Sequence, residues 1–196
     1  MKYLTLGILM IFLLCGCSDD SVKGDAKLKR AELTSFEENL LSLSSNHSMV
    51  YDLELKNEAA KEIIVTIDYY EKGKFVRQIT EMKDLIEGDK EDIRIAVLQQ
   101  TNSSNEENWI TSILNTSGMT SLSFPQDTTE REKMNFASYS GGTDEGVVVI
   151  GEPKIIHTIV YSTLGENPIL KDIETKDDVK KATNYEQVYI VSLEIR

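Results

Sequence analysis

Apolar and polar positions change their spacing along this 196-residue chain, and each change marks a different kind of segment. From Tyr3 to Leu14 the residues are almost all apolar, and Lys2 is the only charge before Asp19. A basic start followed by a short apolar run is the pattern of a secretory signal. A spanning helix needs about 20 apolar residues, and Ser18-Asp19-Asp20 ends this run too early. Ser18 to Asp25 is polar and reads as a tether. Farther on, Leu33, Phe36, Leu40 and Leu43 recur at helical spacing. The residues from Ala26 to Glu32 are good or fair helix formers. Together they predict a helix over residues 26–45, its apolar stripe packed on the domain because such a stripe is unfavourable in water.

From Met49 onward the period is two. Tyr51, Leu53 and Leu55 alternate with Asp52 and Glu54, and Ile63, Val65, Ile67 and Tyr69 alternate with Ile64, Thr66, Asp68 and Tyr70. Glu71-Lys72-Gly73-Lys74 reads as a hairpin turn, with Gly73 supplying positive φ, and Phe75, Arg77 and Ile79 continue on the far side. Glu81 to Asp92 reads as an acidic loop before a strand at Ile93, Ile95 and Val97. A polar loop from Thr101 to Asn108 precedes a second hairpin, Trp109–Leu114 and Met119–Phe124 about Asn115–Gly118. A third cluster runs from Met134 to Tyr161 around the Gly-rich stretch Ser140–Gly146. One or two helical turns fit at Lys176–Ala182, and Tyr189, Val191, Leu193 and Ile195 share a face of an integral last strand. About nine short strands must each bury one face, and two packed sheets are the usual solution. The fold expected is mainly β, an antiparallel β-sandwich that is immunoglobulin-like in the loose architectural sense, with a small barrel as the alternative. The layout is a signal at 1–16, a tether at 17–25, a helix at 26–45 and one β-rich domain at 46–196.

The apolar leader closes on Leu14-Cys15-Gly16-Cys17. An aliphatic residue, a small residue, glycine and cysteine in this order resemble the lipobox of bacterial lipoproteins, with Cys15 a less usual occupant of the second position. The resemblance covers the first 20 or so residues. It implies that Cys17 takes a diacylglycerol through a thioether and that cleavage falls before it, which frees an amine open to acylation by a fatty chain such as palmitate. Two acyl chains hold a protein stably where one holds it marginally. The resemblance therefore implies attachment to a cell membrane, on the extracytoplasmic face of the envelope, through the lipid on Cys17.

Removing 16 residues leaves 196 − 16 = 180, and removing Lys2 leaves a mature charge of 20 − 33 = −13. That size suits one domain with a real core. The acidic balance argues against nucleic acid, whose phosphates need Lys and Arg, and against electrostatic docking on anionic lipid. It favours basic partners or cations. Cys15 leaves with the leader and Cys17 becomes a thioether, so the folded part has neither a thiol nor a disulfide.

Chemistry-bearing patterns are sparse. His47 sits in a polar turn and His157 in a strand, and two separated histidines do not make a zinc site, which needs three or four clustered ligands. Ser138-Tyr139-Ser140-Gly141-Gly142 lacks the strand–helix context of a nucleophile elbow. Ser140–Gly146 has no lysine and precedes a strand, which reads as a hairpin loop and not a phosphate cradle. The acidic groups Glu87–Asp92 and Asp172–Asp178 lack the register of a calcium loop. Asn46, Asn102 and Asn115 begin glycosylation sequons by chance of composition. Trp109 and the strand tyrosines are core residues or, if several share an exposed face, a recognition surface. The reading expected is therefore a membrane-anchored binding or structural module with a protein partner in the envelope. No catalytic, cofactor or metal residue and no small-molecule substrate is assigned. An envelope hydrolase using His157 or an acidic pair as general base is the alternative, and a transporter's solute-binding lipoprotein is a poorer fit.

Overall fold

The computed structural model describes residues 24–87, 92–101, 106–127, 137–163 and 176–196. The leader, Cys17 and the tether as far as Lys23 lie outside these residues.

The chain folds as a mainly β, antiparallel sandwich of two packed sheets. In chain order the strands are β1 (Ala26–Arg30), β2 (His47–Leu55), β3 (Glu62–Glu71), β4 (Lys74–Leu85), β5 (Asp92–Thr101) and β6 (Glu106–Asn115). They continue with β7 (Gly118–Asp127), β8 (Ala137–Gly142), β9 (Glu145–Val148), β10 (Lys154–Ser162) and β11 (Gln187–Ile195). Two helices interrupt them, α1 (Ser35–Ser44) and α2 (Lys176–Ala182). The first sheet has the order β7-β6-β5-β2-β1-β9 and the second β4-β3-β11-β10-β8. The period-two residues of β2, β3, β5 and β11 meet between the sheets in one core, with Leu28, Leu53, Ile67, Ile95, Ile113 and Leu193 fully enclosed. A smaller cluster on the outer face of the second sheet joins Val160, Val188 and Ile190 to Tyr70, Tyr139, Tyr185 and Val179 of α2.

The helix expected over residues 26–45 is corrected here. Ala26–Arg30 is a strand, inserted between β2 and β9, and only Ser35–Ser44 is helical. Helix propensity is a weak prior that tertiary context overrides. Ala26 and Leu28 alternate with Lys27 and Lys29, and burying both apolar residues between two neighbours outweighs the propensity of the segment. Asp25, expected in the tether, is also corrected. The Asp25 amide donates to the Val148 carbonyl, and its carboxylate accepts from Asn57 and from the Ile150 amide, so Asp25 belongs to the domain. Helix α1 starts at a capping box, in which the Thr34 hydroxyl accepts from the Glu37 amide while Glu37 accepts from the Thr34 amide.

The two edges of the sandwich close differently. On one side the chain itself crosses from β8 in the second sheet to β9 in the first. On the other, side chains join the β4 edge to β7 and to the β6–β7 turn: Arg77 of β4 donates to Gln126 of β7 at 2.8 Å, Asn115 at the end of β6 to Asp84 at 3.3 Å, and Ser117 in the turn to Glu87 just past β4 at 2.8 Å. Pro125 lies on β7, an edge strand where its missing N–H is tolerated. Strand β4 carries two register shifts, which set Val76 and Ile79 out of the ladder and bring Ile79 and Thr80 together into the interior. Simple alternation across Phe75–Thr80 therefore fails.

The β3–β4 turn has φ 47° at Lys72 and 80° at Gly73. A two-residue hairpin of this hand demands positive φ at both positions, which suits Asn-Gly better than Lys-Gly. Lys72→Asn should therefore stabilise the domain by about 0.5 kcal/mol. A urea midpoint that stays put or falls in this variant would show that Lys72 carries no strain.

Candidate functional site

The strand ends define two poles. Ala26, Leu55, the β6–β7 turn and Arg196 lie at one; His47, Gln99, Trp109 and the β3–β4 turn lie at the other. The second pole holds an aromatic and polar cluster. Tyr189 stands at its centre, with ring centroids 4.8 Å from Tyr69, 4.9 Å from Trp109 and 6.1 Å from Tyr161. Arg77 lies over the Tyr69 ring at 5.3 Å, a cation–π contact. His47 meets the edge of Tyr161, whose hydroxyl donates to Gln99 at 2.9 Å. The Trp109 indole N–H donates to Glu107, and both residues are 0 % exposed. The alternation of β6 brings this about, because Glu107, Trp109, Thr111 and Ile113 all fall on its inner face. Trp109, Tyr69, Tyr161 and Tyr189 are thus core, as one of the two sequence readings has it, whereas Tyr70, Tyr139 and Tyr185 are half-buried on the outer face of the second sheet.

Glu107 and Gln99 are polar core residues that sequence reasoning missed. A loop expected over 101–108 hid Glu107, although it stands two residues before Trp109, and the alternation of Ile93, Ile95 and Val97 extended by one step places Gln99 inside. Among the described residues the Gln99 side-chain nitrogen and the Thr111 hydroxyl find no hydrogen-bond partner.

His157 is buried at the middle of the sandwich. A bulge in β10 between Ile155 and His157 turns both Ile156 and His157 inward. The Tyr51 hydroxyl donates to the Ile156 carbonyl at 2.7 Å and lies 3.4 Å from His157 Nδ1. Burial, reinforced by the Arg30 charge, pushes the imidazole down to about 3, and burial pushes the Tyr51 phenol up to about 12. Both groups are neutral at ordinary pH. In this setting His157 is a strand residue that completes packing against Tyr51 and Gly142.

The outer face of the first sheet carries a shallow cleft of about 340 Å³, lined by Lys27, Lys29, Asp52, Glu54, Asp92 and Arg94. Its charges largely answer each other. Arg94 donates to both carboxylate oxygens of Asp52, at 2.7 and 3.3 Å, and its own charge is favoured by that pairing. Ahead of α1 the Ala31 amide continues the β1–β2 pairing by donating to the Val50 carbonyl, and Glu37 of the helix lies in the field of Arg94. Its apolar stripe does not face the sheet. Phe36 is 75 % exposed, Leu40 55 % and Leu43 87 %. The packing expected of that stripe is therefore corrected: the side of the helix bearing Glu37 and Leu41 faces inward instead.

The remaining candidates resolve singly. The Gly-rich stretch is the crossing from β8 to β9. Asn115 caps its own turn by accepting from the Ser117 and Gly118 amides. The Asn102 sequon and most of Glu87–Asp92 lie outside the described residues, as do Asp172 to Thr175. Among the described residues no three His, Cys, Asp or Glu side chains converge on a metal position, and no helix is long and apolar enough to cross a membrane.

No curated protein and no solved structure matches the chain. The family model of the YgaN domain matches residues 27–195, which span the fold from β1 to β11, and the chain therefore belongs to the YgaN domain family.

Proposed function

We propose that this protein is a lipid-anchored module on the extracytoplasmic face of a bacterial cell membrane, acting by binding or structural support and not by catalysis. The observation that carries this reading is the placement of Leu14-Cys15-Gly16-Cys17 directly ahead of a short polar spacer, eight residues before Asp25. Cleavage before Cys17 would leave every residue of the sandwich in the mature chain. Eight extended residues reach at most about 28 Å, so the pole where β1 begins would stay near the bilayer. The pole of the β3–β4 turn would then project away from it. The mature charge of 20 − 33 = −13 suits a basic partner and not an anionic lipid surface.

The test is incorporation of radiolabelled palmitate into the full chain in a bacterial host. The wild type and Cys15→Ala should carry label in the membrane fraction, and Cys17→Ala should carry none. Label that survives in Cys17→Ala, or is lost in Cys15→Ala, would overturn the reading.

A further inference from the structure

Among the described residues nine large apolar side chains are exposed, and five of them lie on one side of the sandwich. Three are Phe36, Leu40 and Leu43 of α1, which sits over the outer face of the first sheet with Glu37 in the field of Arg94. The other two are the cross-strand pair Leu114 and Met119, 45 % and 69 % exposed. The alternation of β6 turns Leu114 away from the core side that Trp109 and Ile113 occupy. The pair therefore continues the outer row that runs through Lys29, Asp52 and Arg94. The α1 stripe bears no charge. Its three residues share about 60° of helical arc, and Glu38 falls on the opposite side of the helix. Glu37 is half-buried toward the sheet. Apolar side chains gathered on one face in this way mark a contact surface.

We propose that this side of the sandwich lies on the bilayer that holds the anchor, with Phe36, Leu40 and Leu43 and the Leu114–Met119 pair dipping into zwitterionic lipid. The inference rests on the anchor at Cys17. The length of chain ahead of the fold selects this occupant. Cys17 precedes Asp25 by eight residues, which reach at most about 28 Å. From Asp25 the chain climbs six extended residues, about 20 Å, to Ala31, and α1 opens four residues later. The stripe is thus within reach of the plane that the tether fixes. The Leu114–Met119 pair stands three and four strands across from β1, about 14 and 19 Å. Lipid, stripe and pair are three points out of line, which define a resting plane along the first sheet. An interfacial helix that binds unaided carries Lys or Arg, and α1 carries neither. The anchor removes that need by holding the domain at high effective concentration beside the lipid. A mature charge of 20 − 33 = −13 opposes anionic headgroups, so the lipid it fits is zwitterionic. The second sheet and the β3–β4 turn then face solvent.

The experiment is site-directed fluorescence on the lipid-bearing chain, made from the full sequence in a bacterial host and reconstituted in phosphatidylcholine vesicles. No described residue is cysteine, so a thiol probe reads one introduced position. Probes at Leu40→Cys and at Met119→Cys should shift to the blue and be quenched by spin-labelled lipid. A probe at Val76→Cys, exposed on the second sheet, should stay in water and be quenched by iodide. Leu40→Asp together with Leu43→Asp should return the Met119→Cys probe to water while palmitate labelling is unchanged. All of these positions are exposed, and a thermal melt checks that each variant remains folded. Probes at Leu40 and Met119 that stay in water on a lipid-bearing chain would overturn this proposal and leave the anchor standing. A chain that carries no lipid would overturn the anchor and this proposal with it. A Leu40 probe shielded from iodide but untouched by spin-labelled lipid would overturn it in favour of a protein partner.

Discussion

Gly142→Ala is expected to lower the melting temperature of this domain by about 10 °C, from a destabilisation on the order of 3 kcal/mol. Gly142 ends β8 where the chain leaves the second sheet for the first. A Cβ there would stand 2.5 Å from the Ile156 carbonyl oxygen, 2.5 Å from His157 Nδ1 and 2.6 Å from the Tyr51 hydroxyl. One of these atoms is backbone held in a sheet and the other two belong to buried rings, so none can yield cheaply. Close approach, and not a left-handed φ, is what demands glycine here. Tyr51→Phe removes one of the three obstructing atoms along with its hydrogen bond to Ile156. The cost of Gly142→Ala should therefore be smaller in the Tyr51→Phe background than in the wild type. A melting temperature within 2 °C of wild type (about 0.5 kcal/mol) would show that β8 relaxes freely and that the crossing is not fixed by this contact.

The second large effect is acid sensitivity centred on His157. Its folded-state value, about 3, lies below the ordinary value of 6.5 for histidine. The unfolded chain therefore binds a proton that the folded chain refuses. The stabilisation this gives is fully present above pH 6.5 and is lost as pH falls from 6.5 toward 3. Each unit within that window costs about 1.4 kcal/mol. Asp25, Glu37 and Glu186 are held below the usual carboxylate range by hydrogen bonds from Asn57, Thr34 and Thr163 respectively, and they add an acid loss of the same sign at lower pH. The interval from pH 6.5 to about 4.5 consequently isolates the histidine. Urea unfolding across it should show a fall of about 2 kcal/mol in the wild type, and His157→Gln should flatten most of that slope. A wild type as stable at pH 4.5 as at pH 6.5 would contradict the buried, neutral state of His157.

Much of the architecture was legible because a sandwich repeats one local rule. The β5 and β6 segments alternate cleanly, β2, β3 and β11 do so over part of their length, and the inner residues of all five form the core. The turns at Gly73 and Asn115–Gly118 were legible from the residues that such turns require. Failures came where a contact distant in sequence outweighs local preference. Ala26–Arg30 is a strand only because β2 and β9 flank it. The bulges in β4 and β10 invert the faces of Ile79 and Ile156, and a bulge leaves no trace in a period-two pattern. Glu107 reads as a loop residue in sequence and lies in the core because Trp109, on the same face of β6, takes its carboxylate as an acceptor.

The sequence by itself determined the class of fold, the acidic balance and the lipobox-like tetrad ending at Cys17, since each is a property of residue type or of short-range spacing. Only the tertiary structure decided which apolar stripe stays bare and which polar groups are sealed. Phe36, Leu40 and Leu43 satisfy a helical period whichever way α1 lies, and a seating that half-buries Glu37 and Leu41 turns them outward. Lys72 and Lys74 lie more than a hundred residues from Lys180 and Lys181, and the hydrogen bonds from the β3–β4 turn to Thr183 and Tyr185 bring them together. Burial and charge fields depend on neighbours that pairing register supplies, and register is set by the whole sheet.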